Sequence, residues 1–392
     1  IGQLHREAET TVVGIYSLLA TASQGLRSED RLYLYETMGI LIGKGSIDQD
    51  KRALFLSQLL LPHIDSMKKL TQEKNGHSYS TEDALADSLS ALARLATGFN
   101  VRCSDAIKDV FFSTLDPIQL VLSSFADKMV VRSKIMIVLQ RLILCIGDRI
   151  LPKVHLFIPT LIQYADDDDI AFVCQCLIQL CAKFKASAGP VIDPFILPFT
   201  TKCHELINLK VAGSDVSNGK KFETFMIKKQ MCNLFQHMGM YKLSPVLVSQ
   251  ANIAQLPAVF QTMCEGSCLL DEGTIQRSCF KFFRDVLKEW VQLGSQTEPL
   301  RRELVSFCSS VLVPTVFATC FFALEFDGND AQHSRSLGDF CHIVCALQSL
   351  GSEADVRTLG TSVASQCAQS NGLKPSAAEI CALFQASADA TR

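Results

Sequence analysis

Arg277, Lys281, Arg284 and Lys288 are the residues whose types and spacing come nearest to a chemistry. Offsets of 4, 3 and 4 residues, at about 100° each, place all four within roughly 60° of arc on one helix face. Ile275, Cys279, Phe282, Phe283, Val286 and Trp290 fall on the opposite face. A line of cations with a core stripe behind it offers spaced donors to a phosphodiester backbone. Spacing alone leaves an ordinary solvated face equally open, and Asp285 and Glu289 alongside favour it.

Two further basic segments support the first. Between Lys128 and Lys153 six cations (Lys128, Arg132, Lys134, Arg141, Arg149, Lys153) face one acid, Asp148. Lys134 and Arg141 are two turns apart and share a face. Between Lys220 and Lys242 five cations (Lys220, Lys221, Lys228, Lys229, Lys242) face Glu223 alone. Lys183 and Lys185 close a helix, where cations serve the dipole. In a helical-repeat protein equivalent helices line the same surface, so these short stripes are expected to sum into one basic wall. The candidate binding residues are therefore Arg277, Lys281, Arg284, Lys288, Lys134, Arg141, Lys228, Lys229, Lys220 and Lys221, on charge alone.

Other chemistries are not supported. No nucleophile elbow, zinc-protease motif, phosphate-cradling loop or dinucleotide fingerprint occurs, so no enzyme and no cofactor is expected. The run Asp166 to Asp169 is read as helix capping ahead of a cation site. His342 and Cys345, one turn apart, are read as packing rather than metal ligands. The sixteen cysteines lie mostly within apolar helical faces and contain no Cys-x-x-Cys, which reads as reduced core thiols of an intracellular protein.

The elements that must position these cations are helices. At 392 residues, 48% hydrophobic and 20% charged, the chain exceeds one ordinary core, and sustained 3.6-residue spacing with almost no alternation makes it all-α. The net charge of −3 and pI of about 6.3 do not announce a nucleic-acid binder, so such a role needs charge segregation. The longest apolar run, Val311 to Leu324, contains Pro314 and is too short to cross a bilayer, so no membrane partner is expected. The chain opens on Ile1 inside a helical pattern, without a signal peptide, and is expected to be the later part of a longer protein.

Straight helices begin near Arg31, Asp87, Ser133, Ala171, Phe225, Ile275 and Ser336. Their intervals of about 40 to 60 residues each hold a shorter or proline-bearing helix, the pattern of HEAT repeats. Bends are expected at Pro62, Pro117 and Pro257 and breaks at Pro194 and Pro198, and Pro299 to Leu324 is expected as one long helix or two short ones split at Pro314. Loops are expected at 75–80, 212–219 and 325–330. The fold class is an all-α HEAT-repeat solenoid, a right-handed α-α superhelix. It is expected as one arch of seven to eight helix pairs over 1–392, with 353–392 as terminal capping helices.

Several stretches carry a family resemblance. They are Leu32-Tyr-Leu-Tyr-Glu-Thr-Met-Gly-Ile-Leu-Ile42; Gln140-Arg-Leu-Ile-Leu-Cys-Ile146 with Ile150-Leu-Pro152 and Phe157-Ile-Pro159; Ala182-Lys-Phe-Lys185 before Pro194-Phe; and Leu287-Lys-Glu-Trp290 followed by Val313-Pro-Thr. In this order they resemble the C-terminal part of the exportin-T family, within the importin-β-like HEAT superfamily. The likeness spans about Arg31 to Leu324, through packing motifs rather than catalytic ones. It implies a nuclear export receptor that takes tRNA, by backbone and shape, together with the GTP form of the small GTPase Ran. Ran would be held mainly by an N-terminal half this chain lacks. Nucleoporins are further partners it allows, with a monomer shuttling between nucleus and cytoplasm. No motif transfers an individual tRNA contact. The competing reading is a HEAT scaffold that binds proteins or carries protein cargo, which the acidic net charge favours.

Overall fold

The computed structural model describes residues 7–22, 25–72, 79–99, 103–211, 218–292, 298–321, 330–350 and 363. Among the described residues no strand occurs, and every regular element is helical. The all-α HEAT-type class follows from the sequence pattern. The chain divides into two compact units, Ile1–Lys202 and Cys203–Arg392.

In the first unit α1 (Ala8–Ala22) leads into a row of straight helices: α2 (Ser28–Lys44), α4 (Tyr79–Ala96), α7 (Met129–Ile146) and α9 (Asp167–Phe184), each packed on the next. A second row lies behind it: α3 (Gln49–Gln72), α5 (Asp105–Phe112), α6 (Leu115–Phe125), α8 (Ile158–Tyr164) and α10 (Gly189–Val211), which contains the unit boundary. α3 packs on α4, α5 and α6; α5 and α6 pack on α7. α7 shows why rows form. Val131, Ile135, Met136, Val138, Leu139, Leu142, Ile143, Cys145 and Ile146 are all buried, more than one face can hide, so the helix needs neighbours on several sides. Gly147 stops it at φ 72°, a conformation that favours glycine.

The second unit has α11 (Asn218–Met240), α13 (Gly273–Gln292) and α16 (Ala331–Leu350) as its straight helices, α13 lying against both others. α12 (Leu256–Ser267) and α14 (Glu298–Phe307) pack on α13; α15 (Val313–Val316) follows between two π-turns, Cys308–Leu312 and Phe317–Phe321. Its core is aromatic. Phe260 meets Phe283, Trp290 and Phe307, while Phe280 and Phe317 meet Phe340. The Trp290 indole N–H donates to Ser244 Oγ at 2.7 Å.

Each of the seven expected straight helices is present, but all begin earlier than expected, most of all those expected near Asp87 and Phe225, which start at Tyr79 and Asn218. The proline expectations need correction. The expected bend at Pro117 is instead a break at Ser113–Thr114, with Pro117 in the first turn of α6, where its missing N–H costs nothing. Pro257 likewise sits in the first turn of α12. α10 runs continuously through Pro194 and Pro198. Of the two readings left open around Pro314, the single helical run is the one seen, with π-turns on either side of Pro314 absorbing it. Two stretches, 167–211 and 299–320, are long and apolar enough to cross a membrane by length and composition. Buried residues such as Leu177, Leu180, Leu304 and Leu312 account for much of that hydropathy as core. The expected capping helices at 353–392, apart from Val363, and most of the loops at 75–80, 212–219 and 325–330 lie outside the described residues.

Candidate functional site

On α13 the expected division of faces holds. Ile275, Cys279, Phe282, Phe283, Val286 and Trp290 are buried, and Arg277, Lys281, Arg284 and Lys288 are not. Their electrostatics differ from one another. Arg277 Nε donates to Asp339 Oδ2 of α16 at 2.6 Å, and Arg284 pairs with Asp285 at 2.7 Å. Lys281 and Lys288 have no ion pair among the described residues, and Lys288 is exposed. Glu289, which the sequence places beside the cations, is instead buried toward Ser244; burial raises its carboxyl pKa. The face therefore carries four cations against Asp285 and Asp339.

The stretch from Lys128 to Lys153 does not form one basic surface. Arg132 is buried: its Nε donates to Asp169 Oδ2 at 2.6 Å, one terminal nitrogen to Asp166 Oδ2 at 2.9 Å and the other to the Ala126 carbonyl at 2.8 Å. Asp166 and Asp169 also form a reciprocal capping box at the start of α9, which is the expected role of this acidic run. No group that could hold a metal ion occurs among the described residues. Arg149 pairs with Asp109 and Lys153 with Asp116 (3.0 Å), both against the second row and over the Phe112 ring. Lys128 lies 3.5 Å from Glu82 and 3.4 Å from Asp127.

Lys134 and Arg141 remain. They line a groove of about 270 Å³ between α2, α4 and α7, with Glu36, Ser90, Arg94 and Thr97. Neither has an ion pair among the described residues, whereas Arg94 pairs with Glu36 at 2.5 Å. The sequence pattern did not single out Arg94. Its signal was position: it stands one turn after Ser90 on the exposed face of a straight helix, and it lines the same groove as Lys134 and Arg141.

In the second unit Lys220 and Lys221 are exposed in the first turn of α11. Lys228 pairs with Glu265 of α12 at 2.7 Å, and Glu223 is taken by Lys210 at 2.6 Å. Lys221, Lys228 and Lys229 rim a second groove of about 270 Å³, whose floor includes Phe225, Leu269 and Ile275. Within this unit Lys229 and Lys221 stand by one groove, while Lys281 and Lys288 lie along α13.

A family model for Exportin-T matches residues 19–372, most of the chain. The chain belongs to the exportin-T family. Exportin-T of Danio rerio is 24% identical over 80% of this chain and 33% of its own length. Exportin-T of Oryza sativa subsp. japonica is 24% identical over 67% of this chain and 28% of its own. That of Homo sapiens is 23% identical over 80% and 32%. The chain thus spans about a third of the length of the curated exportin-T relatives it matches. Membership makes it part of a transport-receptor family rather than an enzyme family.

Proposed function

We propose that this exportin-T segment binds tRNA through its phosphate backbone and shape, as part of a nuclear export receptor that also takes the GTP form of Ran. One observation carries the reading: Lys134, Arg141, Lys281 and Lys288 stand on straight helices with no carboxylate partner among the described residues. Neighbouring cations are satisfied internally, and membership of a nuclear export receptor family supports a cargo-binding role. Backbone recognition suits a receptor for many tRNA sequences, because the wide groove of an A-form helix displays phosphate and 2′-hydroxyl rather than base identity. Arg277, Arg284 and Lys228, already paired, contribute by exchanging a carboxylate for a phosphate; Lys220, Lys221 and Lys229 extend the same role along α11. Ran and tRNA are coupled reciprocally, each raising the affinity for the other. Ran contacts fall mainly to parts of the receptor outside this segment, nucleoporins are further partners, and the receptor acts as a monomer that shuttles between nucleus and cytoplasm.

Titrating the chain with tRNA across salt tests this. Lys281→Ala/Lys288→Ala is expected to weaken binding and flatten the log-log salt slope by about 0.7 to 0.9 for each phosphate no longer neutralised. An unchanged isotherm removes α13 from the interface. A protein-binding scaffold is the second reading, favoured by acids such as Glu36 and Asp285 among the same cations. It requires no RNA binding at physiological salt.

A further inference from the structure

The groove beside α11 is built unlike a surface that only meets phosphate. Lys221, Thr224, Phe225, Lys228 and Lys229 line it from α11, and offsets of 3, 1, 3 and 1 residues put them on one helix face. The opposite wall comes from the end of α12 and the start of α13, where Gly266, Leu269 and Ile275 border the groove. Gly266 lets that wall come close: a Cβ there would lie 2.6 Å from Cys279 Sγ and 3.1 Å from Cys232 Sγ. Ile275 is buried, and Phe225 and Leu269 are half-buried. A space of about 270 Å³ thus has an apolar floor and a cationic rim.

The acids near the rim are already engaged. Glu265 lines the groove and accepts from Lys228 Nζ at 2.7 Å and from Gln261 Nε2 at 3.2 Å. Glu223 is held by Lys210 at 2.6 Å. Lys221 and Lys229 have no ion pair among the described residues. The Thr224 hydroxyl oxygen is buried without a hydrogen-bond partner, whereas Thr200 and Thr262 donate to the carbonyl four residues earlier, each at 2.9 Å. A buried hydroxyl left unmatched is costly, and an acceptor brought to it recovers that cost. A phosphodiester would take the lysines and leave the apolar floor wet. A neutral apolar group would cover the floor and leave the lysines and the hydroxyl unmatched. An anion with an apolar body satisfies all three.

We propose that this groove is a binding site for a small amphipathic carboxylate, with an apolar body of about ten carbons to suit a space of this size. The body lies over Phe225, Leu269 and Ile275. The carboxylate accepts from Lys221 Nζ and the Thr224 hydroxyl, three residues apart and so neighbours on the helix surface. Lys229, about 12 Å further along α11, keeps the other end of the rim positive. The occupant bridges α11 to the end of α12 and the start of α13, so its binding stabilises the second unit by linkage. This site is separate from RNA binding through α13 and stands whether or not the chain takes tRNA.

The test titrates the full chain with 2-naphthoate and follows the isoleucine δ1-methyl resonances by NMR. Ile275→Val and Ile143→Val assign two of these signals by their loss. The Ile275 signal is expected to move saturably, while that of Ile143, in the first unit, stays in place. 2-Naphthamide, the same body without the charge, should bind at least about tenfold more weakly, the worth of one charge-assisted hydrogen bond. Lys221→Glu/Lys229→Glu should lose affinity for 2-naphthoate to the same degree, with the rest of the methyl spectrum unchanged as proof of folding. Lys134→Glu/Arg141→Glu alters net charge equally in the other unit and should leave the titration as it is. An Ile275 signal that stays still up to the solubility limit of 2-naphthoate, equal binding of the amide, or unaltered affinity in Lys221→Glu/Lys229→Glu would each overturn the proposal. So would movement of Ile275 by tRNA and not by 2-naphthoate, which would give the groove to RNA.

Discussion

Arg132 carries the same charge as Lys134, two residues away, and meets the opposite fate. Its guanidinium is only 3% exposed and is shared between Asp166, Asp169 and the Ala126 carbonyl. A buried pair of this kind holds its neighbours in register, but its removal from one side is costly because the other charge stays buried. Arg132→Met is therefore expected to lower stability by about 3 to 5 kcal/mol, read as a fall in the urea midpoint. Arg132→Met/Asp169→Leu should recover most of that loss; a double variant no better than the single would show that the pair acts through something other than an orphaned carboxylate. His63 supports a second test at this scale. It packs edge-on to Tyr35 at 5.0 Å, and its Nε2 is buried without a partner. Burial lowers its pKa from 6.5 to about 4. The unfolded chain takes up a proton below pH 6.5 that the folded chain refuses until about pH 4. Stability is thus complete above pH 6.5, falls as pH drops toward 4, and is flat below it, a loss of about 3 kcal/mol. His63→Phe keeps the ring contact with Tyr35 and should abolish this share of the acid sensitivity, measured as urea midpoint against pH.

At the scale of elements, α2 and α4 approach more closely than any side chain would allow. A Cβ on Gly98 would lie 1.9 Å from the Gly39 carbonyl oxygen, and one on Gly39 would lie 2.3 Å from that of Leu95. The obstacles are backbone, so they cannot swing aside. Gly98→Ala is expected to destabilise the first unit by about 3 kcal/mol or more through overpacking. Gly14→Ala in α1, where nothing lies within 4 Å, should gain up to about 1 kcal/mol from helix propensity. Comparing the two thermal midpoints separates close approach from a general glycine effect. The close approach at these glycines was not legible, because a contact between two backbones leaves no trace in either helix's own pattern. The existence of the straight helices was legible, since a stripe such as Leu85, Leu89, Leu92 and Leu95 repeats at the helical period whatever it packs against, but their polar first turns, as at Tyr79 and Asn218, were not. The proline-bearing helices were not, because the cost of proline depends on whether its N–H was needed. In α6 and α12 it was not. Charge was half legible. The sequence counts cations along the chain, but Arg132 finds Asp169 at a separation of 37 residues and Arg277 finds Asp339 at 62. Which cations remain available is decided across helices.

At the scale of the whole molecule, candidate cations with no ion pair among the described residues fall in both units: Lys134 and Arg141 in one, Lys281 and Lys288 among those in the other. The overall charge of −3 argues against attraction of RNA at long range. Binding must then come from local neutralisation of phosphates, and its salt dependence counts them. Lys134→Ala/Arg141→Ala and Lys281→Ala/Lys288→Ala are each expected to reduce the magnitude of the log-log slope by about 1.5, since each leaves two phosphates without their cation. The two pairs share no partner residue, so their free-energy costs should add within about 0.5 kcal/mol in the fourfold variant. Arg149→Ala/Lys153→Ala removes the same charge from residues already paired with Asp109 and Asp116, and its slope should match that of the unmutated chain. If all three double variants shift the slope alike, the effect is net charge rather than direct phosphate binding, and the assignment of these helix faces to the RNA fails. If only one unit's pair matters, the interface lies on that unit alone. The outcome expected from the pairing pattern is two active pairs and one silent one.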